Sequence, residues 1–241
     1  MIRRGSRSPL LVGMSHVEAV QRATLERGSD LDVVNINQLP RVYRPPSATL
    51  NFVGPLARRP AKLFLSIGGN YHNILGLIEN PIPFRIGDAE HGSVPQDETR
   101  MLVPEATMCE HFERQQAHKT EVTENIVRHF EGVPTFHLAP PPPVADLEGV
   151  RRRPGVFRKH LHLGFAPPEL RRKLYDIEVS NLARLCERLG IVMIPAPVEA
   201  FDADGLLKAE LCERDPTHGN TAYGHLVLDQ IAALERTPDM A

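Results

Sequence analysis

Leu10-Leu11-Val12-Gly13-Met14-Ser15-His16-Val17-Glu18-Ala19-Val20 is an apolar run, a glycine, a serine, and then apolar residues at helical spacing. Four to five consecutive apolar residues closed by a turn signal read as a buried strand, here Leu10 to Met14. The spacing from Val17 onward predicts a helix to Arg27. The stretch is therefore a strand-turn-helix unit with Ser15 at the turn.

Working outward, further apolar runs of strand length occur at Leu31 to Ile36, Lys62 to Ile67, Pro134 to Ala139 and Ile191 to Pro195. Helical stretches are expected at Glu105 to Glu131, Pro168 to Leu189 and Thr221 to Leu234. Short buried strands alternating with helices predict an α/β fold, a three-layer doubly wound sandwich around a mainly parallel five-stranded sheet. In such sheets ligands bind beyond the carboxyl ends of the strands. At 241 residues the chain suits one domain spanning 1–241, with loop insertions near 80–104 and 140–166. The first, rich in Pro, Gly and polar residues, reads as a long loop serving as lid or substrate wall. The second holds the run Pro140 to Pro143, a stiff extended connector, and the basic residues Arg151 to Arg153, Arg158 and Lys159, read as a solvated loop, the alternative being that the arginines hold an anionic substrate group or an acidic partner.

Composition narrows the partners. A formal net charge of −2 gives no field that favours nucleic acid or an anionic membrane. The basic stretch Met1 to Pro9 precedes an apolar run too short for a signal-peptide core, and no transmembrane-length run occurs. Cys109, Cys186 and Cys212 are an odd set in helical segments, which predicts reduced structural thiols and a cytoplasmic location. Oligomeric state is not legible.

The second informative stretch is Glu213-Arg214-Asp215-Pro216-Thr217-His218-Gly219-Asn220, just before the last helix. An acid three residues before a histidine can orient a general base, with Asp215 fixing the tautomer of His218. Ser15 is the candidate nucleophile for that base to activate. Structural roles compete at every position. Ser15 could cap the first helix, Asp215 and Thr217 the last, Asn70 could be a turn residue, and His16 a packed histidine. Two imidazoles at His160 and His162 would share one face of a strand, but further ligands at a recognisable spacing are missing, so no metal is expected. The sequence has neither a dinucleotide-binding glycine fingerprint nor a phosphate loop, so no cofactor is expected.

Gly13-Met14-Ser15, Gly68-Gly69-Asn70 and Asp215-Pro216-Thr217-His218 resemble, in order and strand context, the SGNH (GDSL-like) hydrolases. The resemblance spans nearly the whole chain and implies a flavodoxin-like SGNH hydrolase fold. It implies Ser15 as nucleophile, His218 as base, Asp215 as its acid, and Ser15 and Asn70 as oxyanion donors. Gly69, Tyr71 and His16 are expected at the substrate, with Phe84 and His72 as further pocket lining. The chain departs from the family pattern in three places. Met14 replaces the acid of Gly-Asp-Ser, Tyr71 stands where an acid often follows the asparagine, and Asn35 to Pro40 lacks the glycine whose N–H joins the oxyanion hole. Either Asn37 or Gln38 presents a backbone donor at that place, or the site uses two donors rather than three.

The function so implied is a serine esterase that removes short acyl groups, such as acetyl, from a carbohydrate or another small hydroxylated substrate. An acyltransferase using the same residues, or a catalytically silent domain binding a glycan or protein partner, are the alternatives.

Overall fold

A computed structural model describes residues 8–87 and 99–236. Its elements, in chain order, are β1 (Leu10–Gly13), α1 (Val17–Arg27), β2 (Asp32–Asn35), β3 (Leu63–Ser66), α2 (Tyr71–Gly76), β4 (Phe84–Ile86), β5 (Met101–Val103), α3 (Glu105–His129), β6 (Thr135–Leu138), α4 (Leu147–Arg152), α5 (Pro168–Leu189), β7 (Val192–Ile194) and α6 (Thr221–Arg236). The five expected strands form one parallel sheet in the order β2-β1-β3-β6-β7. The architecture is the α/β doubly wound sandwich expected from the sequence.

The strands' period of two divides the interior into two cores. Leu11 and Phe64 point to one face, where they join Val17, Val20 and Ala23 of α1 and Val227, Leu228 and Ile231 of α6. Leu10, Val12, Leu63 and Leu65 point to the other, against Val122 and Ile126 of α3. Both faces are covered, which is why the strands read as continuous apolar runs rather than alternating ones. A third cluster joins α3 to α5 through Phe112, Leu170, Leu174 and Ile177.

The structure refines the expectations about the insertions. Residues 80–104 are not simply a loop: β4 and β5 pair in parallel, with Phe84 opposite Met101 and Ile86 opposite Val103, and Phe84 and Ile86 pack on α3 and α5. Strands of three residues are too short to show a period. Residues 88–98 of that insertion, like Met1 to Arg7 of the basic N-terminus, lie outside the described residues. Pro140 to Pro143 is extended but buried, with the Tyr175 hydroxyl donating to the Pro140 carbonyl at 3.0 Å. The connector expected from the sequence thus lines the interior.

His160 and His162 lie in a 3-10 helix, Gly155–Leu163. With three residues per turn, positions two apart point away from each other, so the shared face expected of a strand does not exist. Among the described residues no group of three or more His, Cys, Asp or Glu side chains is arranged to hold a metal ion. Arg151 and Arg152 end α4, where Arg151 pairs with Glu148 at 3.2 Å and stacks over Phe165. Among the described residues no helix is long and apolar enough to cross a membrane. The three cysteines are unpaired, and burial pushes the Cys186 thiol up to about 11.

The two helices of the Ser15 face approach so closely that Gly224 of α6 lies on the Ala19 carbonyl of α1, with no room for a Cβ. Backbone cannot yield as a flexible side chain can, so Gly224→Ala should push the helices apart. The expected cost is about 1 to 3 kcal/mol, read as a lower Tm by circular dichroism; an unchanged Tm would contradict this close packing.

Candidate functional site

β1 lies between β2 and β3, so the chain departs from it in one direction and returns in the other. Such a switch point opens a crevice at the carboxyl ends of the two central strands. Gly13 is opposite Ser66 in the β1–β3 ladder, so the residues that follow, Ser15 on one side and Gly68 to Asn70 on the other, emerge at the same sheet edge. The turn after β1 is fixed by Met14 N–H donating to the Ser66 carbonyl at 3.0 Å and Val17 N–H to the Met14 carbonyl at 3.1 Å. Met14, the departure from the family pattern, is buried in the α3-side core. An acid does act one turn later: Glu18 accepts from Asn35 Nδ2 at 2.9 Å and Gln38 Nε2 at 3.0 Å, tying the first turn of α1 to the end of β2 and the turn that follows it.

The stretch before α6 closes on itself as a small clip. Glu213 N–H donates to the His218 carbonyl at 2.8 Å and Asn220 N–H to the Leu211 carbonyl at 2.8 Å. Arg22 of α1 holds the clip from outside, pairing with Glu213 at 2.6 Å and donating to Thr221 Oγ1 at 3.0 Å. Within it the Asp215 carboxylate accepts from Thr217 N–H at 2.9 Å, from His218 N–H at 3.0 Å, and from the His218 ring at Nδ1 at 2.9 Å. The other ring nitrogen, Nε2, lies 2.8 Å from Ser15 Oγ. Ser15, His218 and Asp215, separated by about 200 positions in the chain, thus form one continuous hydrogen-bonded line. The capping alternatives fail: His16 holds the N-cap position of α1, and its side chain makes no capping bond. Asn220 takes the first-turn N–H groups of α6, at Ala222 and Tyr223.

On the facing side, Gly68 and Gly69 both take left-handed φ values of 83° and 85°, a conformation open to glycine. Gly69 also abuts Pro140, with no space for a Cβ. Asn70 follows, its Oδ1 accepting from Asn73 Nδ2 at 3.4 Å, which leaves the Asn70 amide nitrogen to donate elsewhere. Among the described residues the Ser15 N–H meets no protein acceptor. Asn37, one of the two candidates for the missing second-block donor, does not qualify: its N–H donates to Asn35 Oδ1 at 3.1 Å. Tyr71 spends its hydroxyl on His111 Nε2 at 2.7 Å and its ring edge on Phe112. Phe84 and His72, read as pocket lining, are buried.

His16 is the least expected member. Its ring sits 4.8 Å from that of His218, centroid to centroid, and neither ring nitrogen finds a hydrogen-bond partner among the described residues. Burial, then the neighbouring His218 and His72, push its pKa down to about 3, so it is a neutral imidazole at physiological pH. Burial alone would raise Asp215, but the hydrogen bonds from the His218 ring and Thr217 N–H outweigh it, and the carboxyl ends below its ordinary value. An ionised Asp215 next to Nδ1 leaves Nε2 free to accept the Ser15 proton. Sequence reading missed Glu18 and Thr217, whose work is local hydrogen bonding without a distinctive spacing.

No family model matches the sequence, and no curated protein matches it. Solved structures do. A Streptococcus pneumonia protein provisionally named a platelet activating factor superposes with a TM-score of 0.50 at 15% identity, covering 97% of this chain and 86% of its own. A GDSL-like lipase from Bacteroides thetaiotaomicron gives 0.44 at 13%, covering 96% and 90%. An acetyl-xylooligosaccharide esterase from Geobacillus gives 0.47 at 10%, covering 100% and 99%. The likeness is one of fold alone: the chain shares its three-layer α/β architecture with the Streptococcus pneumonia protein.

Two buried histidines make stability sensitive to acid. His137 donates from Nδ1 to the Leu138 carbonyl at 2.9 Å, and burial lowers its pKa to about 4; His16 lies lower still. In the unfolded chain both take up protons near 6.5, so the unfolded state binds more protons in between and stability falls as pH drops. His137 alone contributes on the order of 3 kcal/mol of that loss between pH 6.5 and 4. His137→Gln should flatten the fall in Tm across this window, and an unchanged slope would show that His137 does not carry it.

Proposed function

We propose that the protein is a serine ester hydrolase of SGNH type, acting on a short acyl group borne by a carbohydrate or another small hydroxylated compound. One observation carries the reading: the unbroken hydrogen-bonded line from Ser15 Oγ through the His218 ring to the Asp215 carboxylate. A serine hydroxyl is a weak nucleophile until a base removes its proton, and this line supplies the base and the charge that steadies it.

Mechanistically, Ser15 Oγ attacks the ester carbonyl as its proton passes to His218 Nε2. The imidazolium so formed faces the Asp215 carboxylate, and the neutral His16 ring beside it adds no opposing charge. Negative charge developing on the former carbonyl oxygen is met by the Ser15 N–H and the Asn70 amide. His218 then returns the proton to the leaving alkoxide, whose departure leaves an acyl-serine. Water, deprotonated by the same imidazole, attacks that ester, and collapse of the second tetrahedral intermediate releases the acid and restores Ser15.

A fluorophosphonate probe, which labels only an activated serine, tests this without knowledge of the substrate. The parent should be labelled and Ser15→Ala and His218→Ala should not, while hydrolysis of p-nitrophenyl acetate falls by at least about a thousandfold in both. Asn70→Ala should lower that turnover about 100-fold or more, since one oxyanion donor is lost. A folded parent that takes no label, or equal labelling of Ser15→Ala, would overturn the reading.

A further inference from the structure

The segment that carries Asn70 is built on two adjacent glycines in left-handed conformation, the residues least able to fix a backbone by themselves. An oxyanion donor has to be held to within tenths of an ångström, so something outside the segment must hold it. The structure provides a buried carboxylate for this. Glu178 of α5, 2% exposed, accepts four hydrogen bonds: from Tyr71 N–H at 3.3 Å, His72 N–H at 2.9 Å, His72 Nδ1 at 2.5 Å and Gln116 Nε2 at 2.8 Å. Three of the four come from the two residues immediately after Asn70. The next residue, Asn73, holds the Asn70 side chain itself through Oδ1.

Burying a carboxylate and an imidazole together is costly, and a well-packed apolar pair in their place would commonly serve stability as well or better. The His72 side chain is fully enclosed, T-shaped against Tyr175 at 5.2 Å, with its Nε2 unpartnered among the described residues. A need for geometry explains what a need for stability does not. Resting on the proposed hydrolase function, we infer that His72 and Glu178 are positioning residues for Asn70: they lock the α2 end of a glycine-hinged segment so that the Asn70 amide keeps its aim at the developing oxyanion. They touch neither substrate nor reacting atoms.

The test is a double-mutant cycle read by the second-order rate of fluorophosphonate labelling at Ser15. The set is parent, Asn70→Ala, His72→Phe and the Asn70→Ala/His72→Phe double variant, with near-ultraviolet circular dichroism to confirm the fold. His72→Phe alone should slow labelling about tenfold or more, yet by less than about twofold once Asn70 is already alanine, because its effect acts through that side chain. His72→Asn, whose amide can place an N–H where Nδ1 was, should restore most of the rate. If His72→Phe fails to fold, Gln116→Leu, which removes one outer donor to Glu178, enters the same cycle with a smaller loss that likewise disappears without Asn70. An equal fold-loss in both backgrounds, or a parent-like rate in folded single variants, would overturn the assignment while leaving the labelled serine intact. An unlabelled parent would overturn the hydrolase reading and this assignment together.

Discussion

The parallel ladder between β1 and β3 is the constraint on which the site depends. Its register sets Gly13 against Ser66, and the Met14 N–H continues the pairing one residue past the strand. Ser15 and the Gly68 to Asn70 segment are thereby delivered to one edge of the sheet by backbone hydrogen bonds that owe nothing to the chemistry beyond them. A slip of one residue would turn Leu11 and Phe64 into the wrong core and carry Ser15 away from Asn70. The same bonds therefore specify the packing and the position of the proposed nucleophile.

Two carboxylates serve the site in opposite environments. Asp215 is partly open to solvent and belongs to a clip that folds on its own backbone bonds; it orients one ring and remains ionised below the usual carboxylate range. Glu178 is enclosed, belongs to a long helix, and holds a backbone segment as well as a ring. In the proposed reaction the first would answer a change of charge on His218. The second sits in packing that keeps its neighbours still.

Most of the architecture was legible because buried parallel strands and long amphipathic helices announce themselves by composition and period. The bounds of α1 and α5 match their sequence reading residue for residue. Ser15, Asp215 and His218 were legible because each stands at a boundary between elements, where side chains with this chemistry are conspicuous. β4, β5 and the 3-10 helix at Gly155–Leu163 were not, since three residues cannot show a period and a 3-10 turn has no sequence signature of its own. Glu178 was invisible for another reason: within α5 it looks like one more solvated acid, and only the packing of α2 on that helix reveals that it is buried. Met14 read as a defect because the family pattern has an acid there. In this chain the position belongs to the core, and Glu18 ties the turn instead.

The clip that bears His218 has a consequence for how this protein would age under heat or mild denaturant. It is closed by local bonds, rests on the buried Leu211 and Thr217, and is fastened to α1 by an ion pair whose partners are partly solvated, whereas Tyr71 and His72, the residues after Asn70, are anchored to α5 through an enclosed carboxylate. Segments of this kind open sub-globally, at lower free energy than the body of a domain. The two sides of the site are thus held by different kinds of contact, and heat or mild denaturant is expected to loosen the His218 side before the Asn70 side.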